Sequence, residues 1–174
     1  PPKYKERLYK HSYKFKTEKA VQDRSPALTD NEARMTKLAP YEDMVQLIST
    51  TMPPVEEIVG KKEAEELTKI CNDEMAELVA KYPEKYIAAI ANLPLNDIDA
   101  AVKEAERAIT ELNFRGIQIY SRVNGKPPST DEMTALYEQM VKHDLPIWIH
   151  PMRGSEQPDY AEEKMSYNQL FSIF

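Results

Sequence analysis

From residue 43 onward the sequence alternates short apolar runs with segments of helical period. Met44-Val45-Gln46-Leu47-Ile48 is apolar with a β-branched bias and gives way to Ser49, Thr50 and the pair Pro53-Pro54, which reads as a strand ending in a loop. Ala64, Leu67, Ile70, Cys71, Met75, Leu78 and Val79 then keep the spacing of one helix face until Pro83. Tyr86 to Ala91 predicts a second strand, closed by Leu93-Pro94. Asn96 is placed to cap the next helix, with Asp97 and Asp99 in its first turn, where the helix dipole favours negative charge. That helix carries Ile98, Ala101, Val102, Ala105, Ala108, Ile109 and Leu112 on one face. A third strand, Ile117–Tyr120, follows Gly116. After a loop containing Asn124-Gly125, Ser129 and Glu132 have the spacing of a capping box, opening a helix that should bury Met133, Leu136, Tyr137, Met140 and Val141. Pro146 to His150 is the fourth strand.

The last three strands begin near residues 86, 117 and 146, steps of about 30 residues, the size of a strand–helix–strand unit. Apolar strands alternating with helices predict an α/β fold with a parallel sheet covered by helices. Four glycines in the whole chain cannot supply a Gly-x-Gly-x-x-Gly dinucleotide turn, and no phosphate loop is present, so a barrel is favoured over an open, doubly wound sheet. A closed eightfold barrel takes roughly 250 residues. This chain has 174, enough for four units, and the expectation is one partial (β/α)8 TIM barrel domain over 1–174. Within it, 1–42 form an excursion and helix, and 43–174 the four strand units.

Charge and composition narrow the function classes. The net charge of −6 argues against a general nucleic-acid binder. The longest apolar run, Ile87 to Ala91, is too short to span a bilayer, so no membrane partner is expected. A single cysteine, Cys71, fits a reducing compartment, and a cytoplasmic location is expected. Residues 1–24 carry eight Lys/Arg against three Asp/Glu. Tyr4, Leu8, His11 and Phe15 would share one face of a helix there, read as a packing stripe in preference to an arm for an acidic partner.

In parallel α/β folds the chemistry gathers at the carboxyl ends of the strands. The residues that qualify are Ser49-Thr50-Thr51, Asn92, Tyr120-Ser121 with Asn124, and His150 with Arg153. His150 ends its strand against Pro151, where a neutral imidazole can bind a metal or move a proton. His143 reads as a helix C-terminal capping residue, His11 has no second ligand beside it, and Cys71 falls on an apolar face as an inert thiol. Glu63, Glu65, Glu66, Glu74 and Glu77 read as solvated surface, with no paired carboxylates placed for acid–base work.

Several stretches resemble a known family: Pro53-Pro54-Val55-Glu56-Glu57, Cys71 to Val79, Leu93-Pro94-Leu95, Arg115 to Ile119, Val123-Asn124-Gly125-Lys126-Pro127 and, above all, Pro146-Ile147-Trp148-Ile149-His150-Pro151. They are similar to the amidohydrolase-related family that includes aminocarboxymuconate semialdehyde decarboxylase and the resorcylate- and vanillate-type decarboxylases. The resemblance runs from about residue 27 to the end. It implies a distorted barrel holding one divalent metal, usually zinc or manganese, on a His-x-His pair of the first strand, a histidine of the fifth and an aspartate of the last. A further histidine, on the sixth strand, acts in proton transfer. Only the fifth-strand ligand maps onto this chain, at His150. Pro1 to Leu8 resembles the stretch just after the His-x-His motif, which makes the strands here the second to fifth and the chain an interior fragment. Asn124 and Arg153 are carried over as substrate contacts.

The function implied is a carboxy-lyase that removes CO2 from a small-molecule aromatic or unsaturated carboxylic acid. The enzymatic alternative is hydrolysis of an ester, lactone or amide at the same metal. The non-enzymatic one is an assembly module, because four strand units leave open sheet edges. Relatives of this kind are often dimers, so a homodimer is within what the resemblance implies.

Overall fold

The computed structural model describes residues 2–11, 24–50 and 53–152. Its elements are α1 (Pro2–Tyr9), α2 (Asn31–Leu38), β1 (Gln46–Ile48), α3 (Lys61–Lys81), β2 (Tyr86–Ala89), α4 (Ile98–Thr110), β3 (Ile117–Tyr120), α5 (Thr134–His143) and β4 (Ile147–His150). Short 3-10 turns lie at Pro26–Leu28, Val55–Glu57 and Asp131–Met133. All four predicted strands form, and the chain is α/β.

β1 pairs with β2 and β3 with β4, each in parallel. The two pairs are joined where β2 loses regularity. Ala91 forms a parallel bridge with Ile117, and the Ala91 and Gln118 amides donate to Gly116 and Ala91 carbonyls at 2.9 Å. The predicted run Tyr86 to Ala91 is therefore one strand in effect, interrupted at Ile90, whose amide turns back to Ile48 O. Each strand is bonded to the next one in sequence.

The third strand can lie this close to the fourth because Gly116 has no side chain. Its φ is +146°, and a Cβ there would stand 2.6 Å from Pro146 O. A real Cβ cannot occupy that position, so the seam needs glycine.

The helices cover the sheet as their spacing predicts, with four corrections. The N-cap of α4 is Asp97, whose carboxylate accepts from Ala100 N, while Asn96 donates its amide to Val59 O at 3.0 Å. The capping box at Ser129 does not form: a 3-10 turn precedes α5, and Glu132 pairs with Lys126. On α5, Met133's neighbours Leu136 and Met140 are buried, but Val141 is 79% exposed. Glu74 is buried, not solvated, because its two oxygens accept the Lys3 and Tyr4 amides at 3.0 Å. It thereby satisfies two of the N–H groups that the first turn of α1 would otherwise leave open.

α1 lies on α3 through Tyr4 and Leu8, both buried, as the packing stripe predicts. His11 meets Glu63 at 2.9 Å, and Phe15 lies outside the described residues.

A buried polar network pins α3 to the exit of β2 and to α4. The Asn72 side chain accepts from Asn92 N and donates to Asn92 O, both at 3.0 Å, and donates to Glu104 Oε1 at 2.7 Å. Arg107 closes the network with two bonds to Glu104, each 2.8 Å, and one to Asp73. Glu104 is thus a buried charge with a bidentate partner, the arrangement a carboxylate needs to leave water.

Candidate functional site

His150 is the last residue of β4 and stands in register with Tyr120, the last of β3. Their rings are 5.5 Å apart, centroid to centroid, tilted by 49°. The backbone at this point is held on both sides. Ser121 N donates to His150 O, and Ser121 Oγ accepts from Met152 N at 2.8 Å while donating to Met152 O. His150 Nδ1 lies 2.8 Å from Pro151 O. A carbonyl can only accept, so Nδ1 carries the proton, and in the neutral ring Nε2 keeps its lone pair. This is the tautomer a metal ligand or a proton acceptor needs.

Buried polar residues follow or lie within the other strands and turns: Thr50, Glu56, Asn92 and Gln118. Gln118 donates to Thr50 O at 2.8 Å, tying the loop after β1 to β3. Asn92, at the exit of β2, donates to Tyr4 Oη at 3.4 Å. Burial pushes the phenols of Tyr4 and Tyr120 well above their usual range, so both stay protonated. Glu56, in the 3-10 turn that follows β1, is 8% exposed. Burial raises its carboxyl to about 7, the charge of Glu57 adds to the rise, and its own backbone amide opposes it.

Of the residues singled out in the sequence, the structure brings Thr50, Tyr120 and His150 to one end of the sheet. Asn124 sits in the Asn-Gly turn, with φ +51°, between Val123 and Lys126, which exchange both of their backbone bonds at 2.9 Å. This is the geometry in which Asn-Gly is favoured. Its Nδ2 donates to Leu95 O at 2.8 Å, so the turn is tied to the loop after β2 and Oδ1 stands outside that bond. Arg153 lies outside the described residues.

Cys71 is fully buried and its thiol is pushed far up, which makes it the inert core cysteine expected. His143 does not cap its helix; its Nε2 meets Glu106 at 2.6 Å, and Asp144 in the left-handed conformation ends α5 instead. Glu56 and Asn72 were not among the sequence candidates. Asn72 could have been found as the polar residue amid an apolar helix face, whereas Glu56 lies in the Pro53–Glu57 stretch of the family resemblance with nothing local to mark it as buried.

Among the described residues no group of three or more His, Cys, Asp or Glu side chains is placed to hold a metal ion. His150 has the chemistry of one ligand; the described residues alone do not make a site, since protein metal centres of this kind take three or more.

The amidohydrolase family profile matches residues 11–172. The chain is 31% identical over 143 residues to γ-resorcylate decarboxylase of Rhizobium radiobacter, covering 76% of this chain and 42% of that protein. It is 29% identical over 134 residues to 2-amino-3-carboxymuconate-6-semialdehyde decarboxylase of Dictyostelium discoideum, covering 75% and 37%. Among solved structures it resembles dihydroxybenzoic acid decarboxylase from Polaromonas with bound manganese and the inhibitor 2-nitroresorcinol, with TM-score 0.61, 26% identity, and coverage of 70% of this chain and 38% of the other. This chain thus spans about two fifths of the curated relatives it matches. With a match over nearly its whole length and a parallel strand–helix architecture to go with it, the chain belongs to the amidohydrolase family.

Proposed function

We propose that the protein containing this chain is a metal-dependent carboxy-lyase that removes CO2 from an aromatic or unsaturated carboxylic acid. The observation that carries the reading is the position of His150. It ends a parallel strand at the carboxyl end of the sheet, with Nδ1 committed to Pro151 O and the lone pair left on Nε2, in a chain whose relatives decarboxylate such acids. His150 is the proposed metal ligand, with the remaining ligands supplied outside the described residues. The manganese of the Polaromonas enzyme supports a divalent ion, manganese or zinc. When bound, such an ion polarises a substrate oxygen or lowers the pKa of water toward neutrality.

The chain's own residues have simpler work. Ser121 and Pro151 fix the height and tautomer of the imidazole, and Tyr120 backs its ring. Asn124 Oδ1 and the Arg153 guanidinium are proposed substrate contacts, the latter for the fork it offers a carboxylate. The architecture proposed is the second to fifth strands of a (β/α)8 barrel in a single domain. Bonding of each strand to the next in sequence supports it, because a doubly wound sheet reverses strand order at its middle. Leu47, Ile87 and Ile149 are more than two fifths exposed, consistent with strand faces that further units would cover.

The test is His150→Ala in the longest natural form of the protein. Metal content and CO2 release from 2,6-dihydroxybenzoate should both fall to near background, with the fold retained by circular dichroism. Full metal occupancy in that variant would remove His150 from the site. Ester turnover without CO2 release in the unmodified protein would replace the lyase with a hydrolase.

A further inference from the structure

One peptide unit, the one between Pro151 and Met152, governs the imidazole of His150. Its carbonyl oxygen lies 2.8 Å from His150 Nδ1, and its N–H donates to Ser121 Oγ at 2.8 Å. In a trans peptide these two groups point in opposite directions, so whatever holds the N–H also aims the carbonyl. Ser121 holds more than the N–H. The same hydroxyl donates to Met152 O at 3.0 Å, and the Ser121 amide donates to His150 O at 3.1 Å. The chain is thus tied to Ser121 on both sides of Pro151.

Pro151 alone does not choose this arrangement. Proline fixes its own φ but leaves ψ free to sit in the helical or the extended region. Those two settings turn the following peptide by roughly half a turn. One offers the carbonyl to Nδ1; the other turns the carbonyl away and brings the Met152 N–H round in its place. A carbonyl at Nδ1 requires a proton there and leaves the lone pair on Nε2, whereas an N–H at Nδ1 requires the reverse. Free of such neighbours, neutral imidazole carries its proton mainly on Nε2. The tautomer of His150 therefore needs a cause.

We propose that Ser121 is a positioning residue for His150: its hydroxyl latches the Pro151–Met152 peptide with the carbonyl toward Nδ1 and so keeps the lone pair on Nε2. The latch belongs to the neighbouring strand. Ser121 follows Tyr120, the last residue of β3, which stands in register with His150 at the end of β4, so the pairing of the two strands sets the tautomer. A hydroxyl suits the task because it accepts from Met152 N and donates to Met152 O at once. A methyl does neither, and a thiol does both only weakly. The use of Nε2 as a metal ligand rests on the decarboxylase reading; the latch does not.

The experiment reads the tautomer directly, by long-range proton–nitrogen correlation spectra of the longest natural form of the protein. The histidines are isotope-labelled, metal is removed, and the pH is mildly alkaline, where imidazole is neutral. The signals of His150 are those that vanish in His150→Ala. In the unmodified protein and in Ser121→Thr, which keeps the hydroxyl, the deprotonated nitrogen of His150 is Nε2. In Ser121→Ala and Ser121→Cys it becomes chiefly Nδ1, while the signals of His11 and His143 stay in place and report a retained fold. Should Ser121→Ala not fold, Ser121→Cys, nearly the size of the native residue, carries the test. A deprotonated Nε2 persisting in the folded Ala or Cys variant overturns the latch, as does a deprotonated Nδ1 in the unmodified protein. Manganese titration gives a second readout. Affinity falls about 10–100-fold in Ser121→Ala and is kept in Ser121→Thr, the usual cost of losing a group that orients a metal ligand. A changed tautomer with unchanged manganese affinity leaves the latch standing and removes His150 from the metal site.

Discussion

β3 and β4 are equal in length, similar in apolar character and bonded to each other, yet they differ in burial. Every residue of β3 is buried, whereas Trp148 and Ile149 of β4 are 46% and 59% exposed. The helices repeat the contrast: Ala101, Ala105 and Ala108 of α4 are fully buried, while α5 buries Leu136 and leaves Val141 open. Composition does not explain this, since Ile-Trp-Ile is more apolar than Ile-Gln-Ile. Neighbours do. β3 has the Ala91 bridge on one side and β4 on the other, while β4 has only β3 among the described residues. Burial is thus a property of what a strand is placed between, and apolar sequence states only what the strand can tolerate.

The largest effect should come from the enclosed half. Glu104→Ala removes the acceptor shared by Asn72 and Arg107, leaving a buried amide and a partly buried guanidinium, and should cost about 3–5 kcal/mol in urea unfolding. A cost below about 1 kcal/mol would mean that the network does not hold the enclosed half together.

At the rim of that half, Glu56 gives a pH signature. Its carboxyl moves from 4.5 to about 7 on burial, so between those values the folded chain keeps a proton that the unfolded chain has released. Stability should therefore fall as pH rises from about 4.5 through 7 and then level, by about 3 kcal/mol relative to Glu56→Gln. Unfolding free energies of the two proteins at both ends of that window give the difference. A flat difference would show that the ionised carboxylate is as well accommodated as the acid. At the seam between the halves, Gly116→Ala should cost about 1–3 kcal/mol, because the new methyl must displace Pro146 O and the Trp148 indole. It should weaken hydrogen-exchange protection in β4 more than in β2.

The four strands were legible because apolar runs between turn residues have few other uses in a chain of this size. The buried faces of α3 and α4 were legible because 3.6-residue spacing is a local property. What escaped was decided at a distance. Glu74 looks like every other carboxylate on a helix dense in them, and only α1, 70 residues away, makes it a buried cap. Asn96 and Asp97 are both good capping residues, and the Val59 carbonyl settles which one is free to cap. His150 could be singled out from its strand-end position and its Pro151, but its tautomer depends on a carbonyl geometry that no spacing encodes. Glu56 lies in the Pro53–Glu57 stretch that carries the family resemblance, but nothing in that stretch marks it as buried, because Tyr4 of α1 and Tyr120 of β3 come near it only in the fold.

The smallest expected effect sharpens the contrast most. Val141→Lys on the open side of α5 replaces a side chain already 79% exposed, so it removes little apolar area from the core and should change stability by no more than about 0.5 kcal/mol. Helix propensity works slightly in its favour, since lysine forms helix more readily than valine. Lysine near the C-terminal end of α5 also suits the helix dipole, though it adds to the charge of Lys142 beside it. Urea unfolding of the isolated chain measures the sum. A loss above about 1.5 kcal/mol, in the range of a truncated core residue, would show that this face of α5 is covered in the folded chain. The openness of β4 and α5 would then belong to Trp148 and Ile149 alone. An unchanged chain that becomes less self-associating, by sedimentation, would place Val141 on a surface that apolar partners seek.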